Sequence, residues 1–484
     1  MSQHPYPPGL VVVGGGPAGL TAAFEAARNG IRPLVLEAGE RVGGIARTEV
    51  HKGYRFDIGG HRFYTKVPEV QSLWEETLGP EFRLTPRLSR IFYNQRFYQY
   101  PLDVWETLRN LGPVQSSAAI LSFTGARLRP NTREESFEDW VTNRFGRQLF
   151  NTFFKTYTEK VWGIPCHEIR AEWAAQRIKD LSFGSAVRQA LFPKRNAGPK
   201  SLISEFHYPR LGPGMMWEML QDRIALLGGS VRTREEVTEV HHDGQQVTHV
   251  VTRSSNNRTA DIHAPQFIST MALDDLIARL RPAPPAEVLH AAASLRYRDF
   301  VLVGLVVRRT GLFADNWLYI HSPNVRVGRI QNFGNWSADL VPEPGTSSIG
   351  MEYFCNRGDS TWTQPDDEFV RLASKELEQL GLAKASDVAW GVVIRQPKAY
   401  PVYDTTYRGH LDVLRAWLPK LSNFQTIGRN GQHRYNNQDH SMLTGLAAVH
   451  RIMGDSADPW EVNTERSYYE EQRVNRSAPT DIRA

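Results

Sequence analysis

The stretch "LVVVGGGPAG", Leu10–Gly19, decides the fold. Four apolar residues, Leu10–Val13, read as a buried strand. The glycines that follow have the spacing of a phosphate-binding turn at Gly14, Gly16 and Gly19. In such a turn the first glycine makes the bend, the second lets the backbone approach a pyrophosphate, and the third lets helix and strand pack closely. A small-residue helix then runs to Arg28, and "IRPLVLEA" forms a second strand ending near Glu37. Glu37 lies 18 residues beyond Gly19, where a carboxylate can take a ribose hydroxyl. A second glycine pair, Gly43 and Gly44 in "ERVGG", is the mark of an FAD site rather than an NAD site. The expected cofactor is therefore FAD. Only one such fingerprint is present, so NAD(P)H is expected as a transient reductant and not as a resident second cofactor.

A chain of 484 residues can build two or three subdomains around a substantial core. The 12 Trp, 17 Tyr and 22 Phe exceed what a core alone requires and suit a pocket for a ring-bearing ligand. A net charge of +5 is modest for this length and favours small anions. No basic arm or aromatic–basic ladder points to nucleic acid. Cys166 and Cys355 are the only cysteines, which excludes a disulfide scaffold and a cysteine zinc site. No metal site is expected. The sequence shows neither a cleavable leader nor an 18-residue apolar run, so a cytoplasmic protein without a transmembrane segment is expected.

The fold expected is α/β: a Rossmann-type FAD-binding domain with an inserted helical domain and an antiparallel β-sheet substrate domain. The FAD-binding parts are expected at residues 1–80, 201–285 and 416–460. The helical domain is placed at 85–200, the substrate sheet at 286–415 and a polar tail at 461–484. "SFEDWVTNRFGRQLFNTFFKTY" reads as a helix, and a hairpin is expected around Asp243-Gly244. Gly428 and the run Asn437, Gln438, Asp439 precede the final helix. The N-terminus of that helix could face the flavin pyrimidine edge.

A further stretch, "RFDIGGHRFYTK", breaks a strand with Gly59 and Gly60 and presents His61. Glycines there allow close approach of a flat ligand. Arg177, four residues after Trp173, and Arg329, in "VRVGRIQNFGNW", could form a fork for a diphosphate. From pattern alone, ordinary surface salt bridging is the favoured account of them.

"FDIGGH", "VWGIPCHEIRAEWAAQR" and "GRNGQHRYNNQDHSMLTG" together resemble the UDP-galactopyranose mutase family, in its eukaryotic-type branch, from Gly14 to about Ile452. The wider superfamily of amine oxidases, protoporphyrinogen oxidases and carotenoid desaturases shares the FAD motifs. The resemblance implies that Gly59, Gly60 and His61 form a mobile loop against the isoalloxazine. It implies that Arg177 and Arg329 grip a substrate diphosphate, that Tyr319 and Tyr435 bond the same phosphates, and that Tyr400 and Asn437 line the sugar side. The activity implied interconverts pyranose and furanose forms of a nucleotide-diphosphate sugar, through attack of reduced flavin N5 on the anomeric carbon. In "QYPLDVW", Tyr100 and Pro101 fit the family's base site, whereas Leu102 and Asp103 depart from it. A carboxylate at Asp103 suits the paired N–H donors of guanine better than uracil, so either a guanine nucleotide is preferred or no base is read; equally, Asp103 faces solvent and caps the helix at "VWETLRN". The competing function is an FAD-dependent oxidase or desaturase acting on an apolar or lipid-linked substrate.

Overall fold

The structure is a computed structural model, and it describes residues 7–100, 102–171 and 204–463. Its base is a five-stranded sheet, parallel throughout. The order is Phe424–Thr426, Phe267–Ser269, Leu10–Val13, Pro33–Leu36 and Ser230–Arg232. Leu10–Val13 lies at the centre and is wholly buried, which is why it reads as an unbroken apolar run. Helix Pro17–Arg28 leaves this strand and packs on the final helix, Gln438–Ile452. Gly445 makes that packing possible: a Cβ there would sit 2.5 Å from the Ala18 carbonyl oxygen. The mixed α/β architecture expected from the sequence is the one observed.

A seven-stranded sheet forms the second layer. Its order is Val388–Pro401, Tyr297–Val307, Ser347–Cys355, Arg329–Asn332, Trp317–Ile320, Ser89–Tyr93 and Arg96–Gln99. All neighbours are antiparallel except Trp317–Ile320 with Ser89–Tyr93. Residues 89–99 thus belong to this sheet, not to the helical segment expected from residue 85. The turn that pairs these two strands is Asn94-Gln95, both with positive φ, and without a glycine it gives little warning in the sequence. A separate four-stranded sheet carries the hairpin at Asp243, with strands Glu235–His242 and Val247–Ser254.

The helices that follow the sheet edge are Val104–Leu111, Pro113–Leu128, Phe137–Phe145 and Thr156–Trp162. The long helix expected from Ser136 is broken at Gly146, whose φ is +81°. A Cβ at Gly146 would lie 2.7 Å from the Phe123 amide nitrogen, so helix Pro113–Leu128 crosses the chain there. Both cysteines are buried free thiols. Among the described residues no helix is long and apolar enough to cross a membrane. None of these residues forms a cluster able to hold a metal ion.

Candidate active site

A cavity of about 440 Å³ lies between the two sheets. At one end is the glycine turn. Gly14 has φ +102°, and a Cβ there would overlap the Thr270 hydroxyl oxygen at 2.0 Å. A Cβ on Gly19 would meet the Gly14 carbonyl oxygen at 2.0 Å, so helix and strand touch backbone to backbone. A Cβ on Gly16 would lie 3.8 Å from Gly44 Cα, and the Gly43 amide donates to the Gly15 carbonyl at 2.7 Å. The two glycine pairs form one backbone cradle, which side chains would fill. Glu37 is fixed beside it, accepting from the Gly15 and Gly39 amides, each at 2.7 Å. A carboxylate held there keeps lone pairs for a ribose diol. The cradle and its acceptor fit a dinucleotide.

The opposite wall is the start of the final helix. Asn437 caps it, reciprocally with His440. Gly428 donates its amide to the Thr444 hydroxyl at 2.9 Å. Gln438 donates from Nε2 to the His61 carbonyl at 3.3 Å, tying the helix start to the glycine–histidine loop. Asn437, Gln438 and Asp439 all line the cavity.

The loop hangs from the hairpin Thr48–His51 and Tyr54–Asp57. Its anchor is Asp57, which accepts from the Thr48 hydroxyl at 2.8 Å and from the Tyr208 hydroxyl. Burial pushes the Asp57 carboxyl up to about 7, despite the hydroxyl donors that oppose the shift. Gly59, with φ +92°, then turns the chain. A Cβ on it would lie 3.7 Å from both Arg329 Nη2 and His61 Nε2. His61 Nε2 lies 2.7 Å from the Ile58 carbonyl, and a carbonyl only accepts, so this nitrogen carries the hydrogen. Burial, with the Arg429 and Arg329 charges, lowers the His61 pKa to about 4. Its ring is therefore neutral at pH 7.

Arg329 lies opposite Glu352 in strand register and Tyr319 on its other side. Its Nε contacts both Glu352 oxygens at 2.9 Å, and Nη2 reaches one of them at 2.5 Å and the Tyr400 hydroxyl at 3.3 Å. Nη1 has no partner among the described residues. Burial opposes the guanidinium charge, but Glu352 outweighs it and the pKa stays well above the usual value. Around this pair stand phenols. Tyr400 stacks on Tyr435 at 5.8 Å, and Tyr100 and Tyr157 approach Tyr319 at 4.9 and 5.6 Å.

Of the expected site residues, Gly14, Gly16, Glu37, Gly44, Gly59, Gly60, His61, Tyr319, Arg329, Tyr400, Gly428, Tyr435, Asn437, Gln438 and Asp439 line this one cavity. Gly19 and Gly43 stand behind it as backbone spacers. Trp173 and Arg177 lie outside the described residues. Of the two readings of Asp103, the structure shows the cap. It is exposed and caps helix Val104–Leu111, accepting from the Glu106 amide at 2.7 Å. A helix N-terminus accounts for this carboxylate, and it is not among the residues that line the cavity, so the structure gives no support to the guanine reading.

Sequence reading also missed several residues of the site. Glu352 was legible in principle, as a lone acid inside the buried strand "SSIGMEYFC". Arg429 follows Gly428 directly and lines the cavity, with its guanidinium 4.1 Å from the Tyr435 ring centre. Among the described residues its hydrogen bonds go to the carbonyls of Ala399 and Asn436. It thus brings a positive charge with no carboxylate partner among the described residues. Arg62 and Trp317 complete the wall, 5.8 Å apart.

Residues 17–453 match the family model of flavin-containing amine oxidoreductases. The chain belongs to this family. With the cradle described above, membership makes FAD the cofactor that these residues fit; the comparisons give no support for NAD(P)H. Among curated relatives, the chain is 29% identical to coproporphyrinogen III oxidase of Mycobacterium leprae over 150 residues, covering 28% of this chain and 33% of the relative. It is 26% identical to the Mycobacterium tuberculosis enzyme of the same name over 212 residues, 40% of this chain and 47% of the relative. Against the flavin-containing amine oxidase B of Bos taurus the identity is 24% over 257 residues, 49% and 46% of the two chains. The chain thus spans about a third to a half of the length of these relatives. Among solved structures, reduced UDP-galactopyranose mutase superposes with a TM-score of 0.80 at 20% identity, covering 96% of this chain and 99% of that one. A redesigned putrescine oxidase gives 0.61 at 15% identity, covering 93% and 99%. These likenesses show the shared fold.

Proposed function

We propose that this flavoprotein isomerises the sugar ring of a nucleotide-diphosphate sugar, in the manner of a pyranose–furanose mutase. The observation that carries the reading is the wall facing Gly59. Arg329, Arg429, Tyr319, Tyr400 and Tyr435 converge there on one side of the flavin cradle. Guanidinium and phenol groups are hydrogen-bond donors suited to phosphate oxygens and sugar hydroxyls. A cationic amine would meet the Arg429 charge and be repelled.

When bound and reduced, the flavin supplies the nucleophile, at N5. The chain's residues do the rest. Arg329, made neutral as a pair by Glu352, donates from Nη1 without drawing a second charge into the site. Arg429 offsets the charge of a departing diphosphate. His61, neutral at working pH, lines the cavity that would take the ring system and holds a hydrogen on Nε2. Gly59 keeps this face open, because any side chain there would stand between Arg329 and His61. The base of the nucleotide is left without a role for Asp103.

A second reading has one observation behind it. The curated relatives named above are oxidases, and two of them act on coproporphyrinogen III. One experiment separates the two readings. Chemically reduced protein is incubated anaerobically with a panel of nucleotide sugars, and the products are analysed for ring form. The mutase reading requires isomerised sugar without consumption of reductant. Stoichiometric hydrogen peroxide under air, with no isomerised product, would establish the oxidase instead.

A further inference from the structure

Helix Pro113–Leu128 is apolar on both of its faces, which a surface helix bathed only by water does not need. The face against the protein holds Ala119, fully buried, and Phe123, packed against the core, with Ser116, Ser122 and Ala126 partly buried. Its outward face carries bulky residues as well. Val114, Leu121 and Leu128 are spaced by seven and fall in one stripe opposite Ala119. They are 81%, 73% and 78% exposed. Ile120 flanks the stripe, and Trp105 stands out from the preceding helix at 56%. The stripe runs about 21 Å along the helix. Single exposed leucines are ordinary, but an aligned row with a tryptophan beside it is an apolar patch.

Charge identifies the partner. From Thr107 to Arg133 the chain contains no acidic residue and four arginines, Arg109, Arg127, Arg129 and Arg133. All four are exposed, and none has a carboxylate partner among the described residues. The nearest acids bound the run, Glu106 at one end and Glu134 at the other, and Glu134 is engaged by Arg144 at 2.7 Å. An apolar stripe flanked by unpaired cations complements a surface whose interior is hydrocarbon and whose rim is anionic. We infer that helix Pro113–Leu128 docks this protein onto an anionic lipid bilayer. The helix has 16 residues, too few to span, so it lies in the plane of the headgroups with its stripe inward. Strand Arg96–Gln99 leads into helix Val104–Leu111 through Tyr100, whose ring lies 4.9 Å from that of the cavity residue Tyr319.

The test uses the full, FAD-loaded chain in flotation with vesicles of phosphatidylcholine alone and of phosphatidylcholine with phosphatidylglycerol, at low and high sodium chloride. The protein is expected to float with the anionic vesicles and to be released at least tenfold by high salt, because the arginines act through a screened field. Leu121→Glu with Leu128→Glu, and separately Arg127→Glu with Arg129→Glu, should each lower binding at least tenfold. Both pairs point outward, so flavin absorbance and circular dichroism should stay unchanged. The inference is overturned if the unaltered protein ignores anionic vesicles, or if both variant pairs bind like it. It is equally overturned if the leucine variants instead turn a dimer into a monomer in sedimentation, since the face would then belong to a second copy.

Discussion

Arg329 and Glu352 face each other across adjacent antiparallel strands and close an ion pair in which Glu352 is fully buried and Arg329 nearly so. Gln331 steadies the carboxylate from Nε2 at 2.7 Å. Removing the arginine would strand a charge in the sheet. Arg329→Ala should therefore destabilise the fold by about 3–5 kcal/mol, besides any loss of activity. Glu352→Gln added to it should restore part of this. Thermal unfolding of the two variants checks the pair, and an unaltered midpoint in Arg329→Ala would show that the pair does not hold the sheet together.

Asp57 gives a dependence on pH. Its folded pKa is about 7 against an ordinary 3.8. Between those values the folded protein holds a proton that the unfolded chain has released, so through this group stability falls as pH rises from about 4 to about 7. Asp57→Asn keeps one acceptor oxygen for the Tyr208 or the Thr48 hydroxyl, turns the other oxygen into an amide donor, and removes the titration. The variant should gain on the parent steadily across that window in denaturant midpoints. A constant difference would mean that Asp57 titrates normally.

Gly14→Ala should abolish flavin binding. The residue is at φ +102°, and a Cβ would overlap Thr270 Oγ1. Flavin absorbance per protein after reconstitution is the readout, and full occupancy would refute the close approach.

Asp103→Ala should cost about 1 kcal/mol, the value of an N-cap, and leave nucleotide preference untouched. Titrations of the reduced protein with UDP and GDP, read by flavin absorbance, should give the same ratio for variant and parent. A changed ratio would return Asp103 to the binding site.

What could be read from the sequence was local. Gly14, Gly16, Gly19 and Glu37 sit within one βαβ unit, and the chemistry of a pyrophosphate turn dictates their spacing. Gly59 and His61 were legible as a glycine that breaks a strand and a histidine beside it, within one short stretch. The partner of Arg329 was not, because Glu352 is 23 residues away and only strand register brings it opposite. Asp103 left two readings open because a carboxylate near a binding motif and a carboxylate capping a helix look alike until the helix start is known. The hairpin at Asn94-Gln95 was hidden because its turn carries no glycine, and the break at Gly146 because only the crossing of helix Pro113–Leu128 tells it from a glycine inside a helix.

The parallel sheet draws its strands from residues 10–36, 230–232, 267–269 and 424–426, and its central helix packs against one ending at Ile452. Such a platform cannot be completed early in synthesis. A ribosome must release nearly the whole of the 484-residue chain before the two ends meet, and long-range pairings of this kind are slow to form. Until then the glycine turn has no opposing wall, and the nascent chain has no finished place for a flavin. Cofactor capture is thereby a late event in the life of the molecule, and a chain cut short before its last helix would be colourless however well its first domain began.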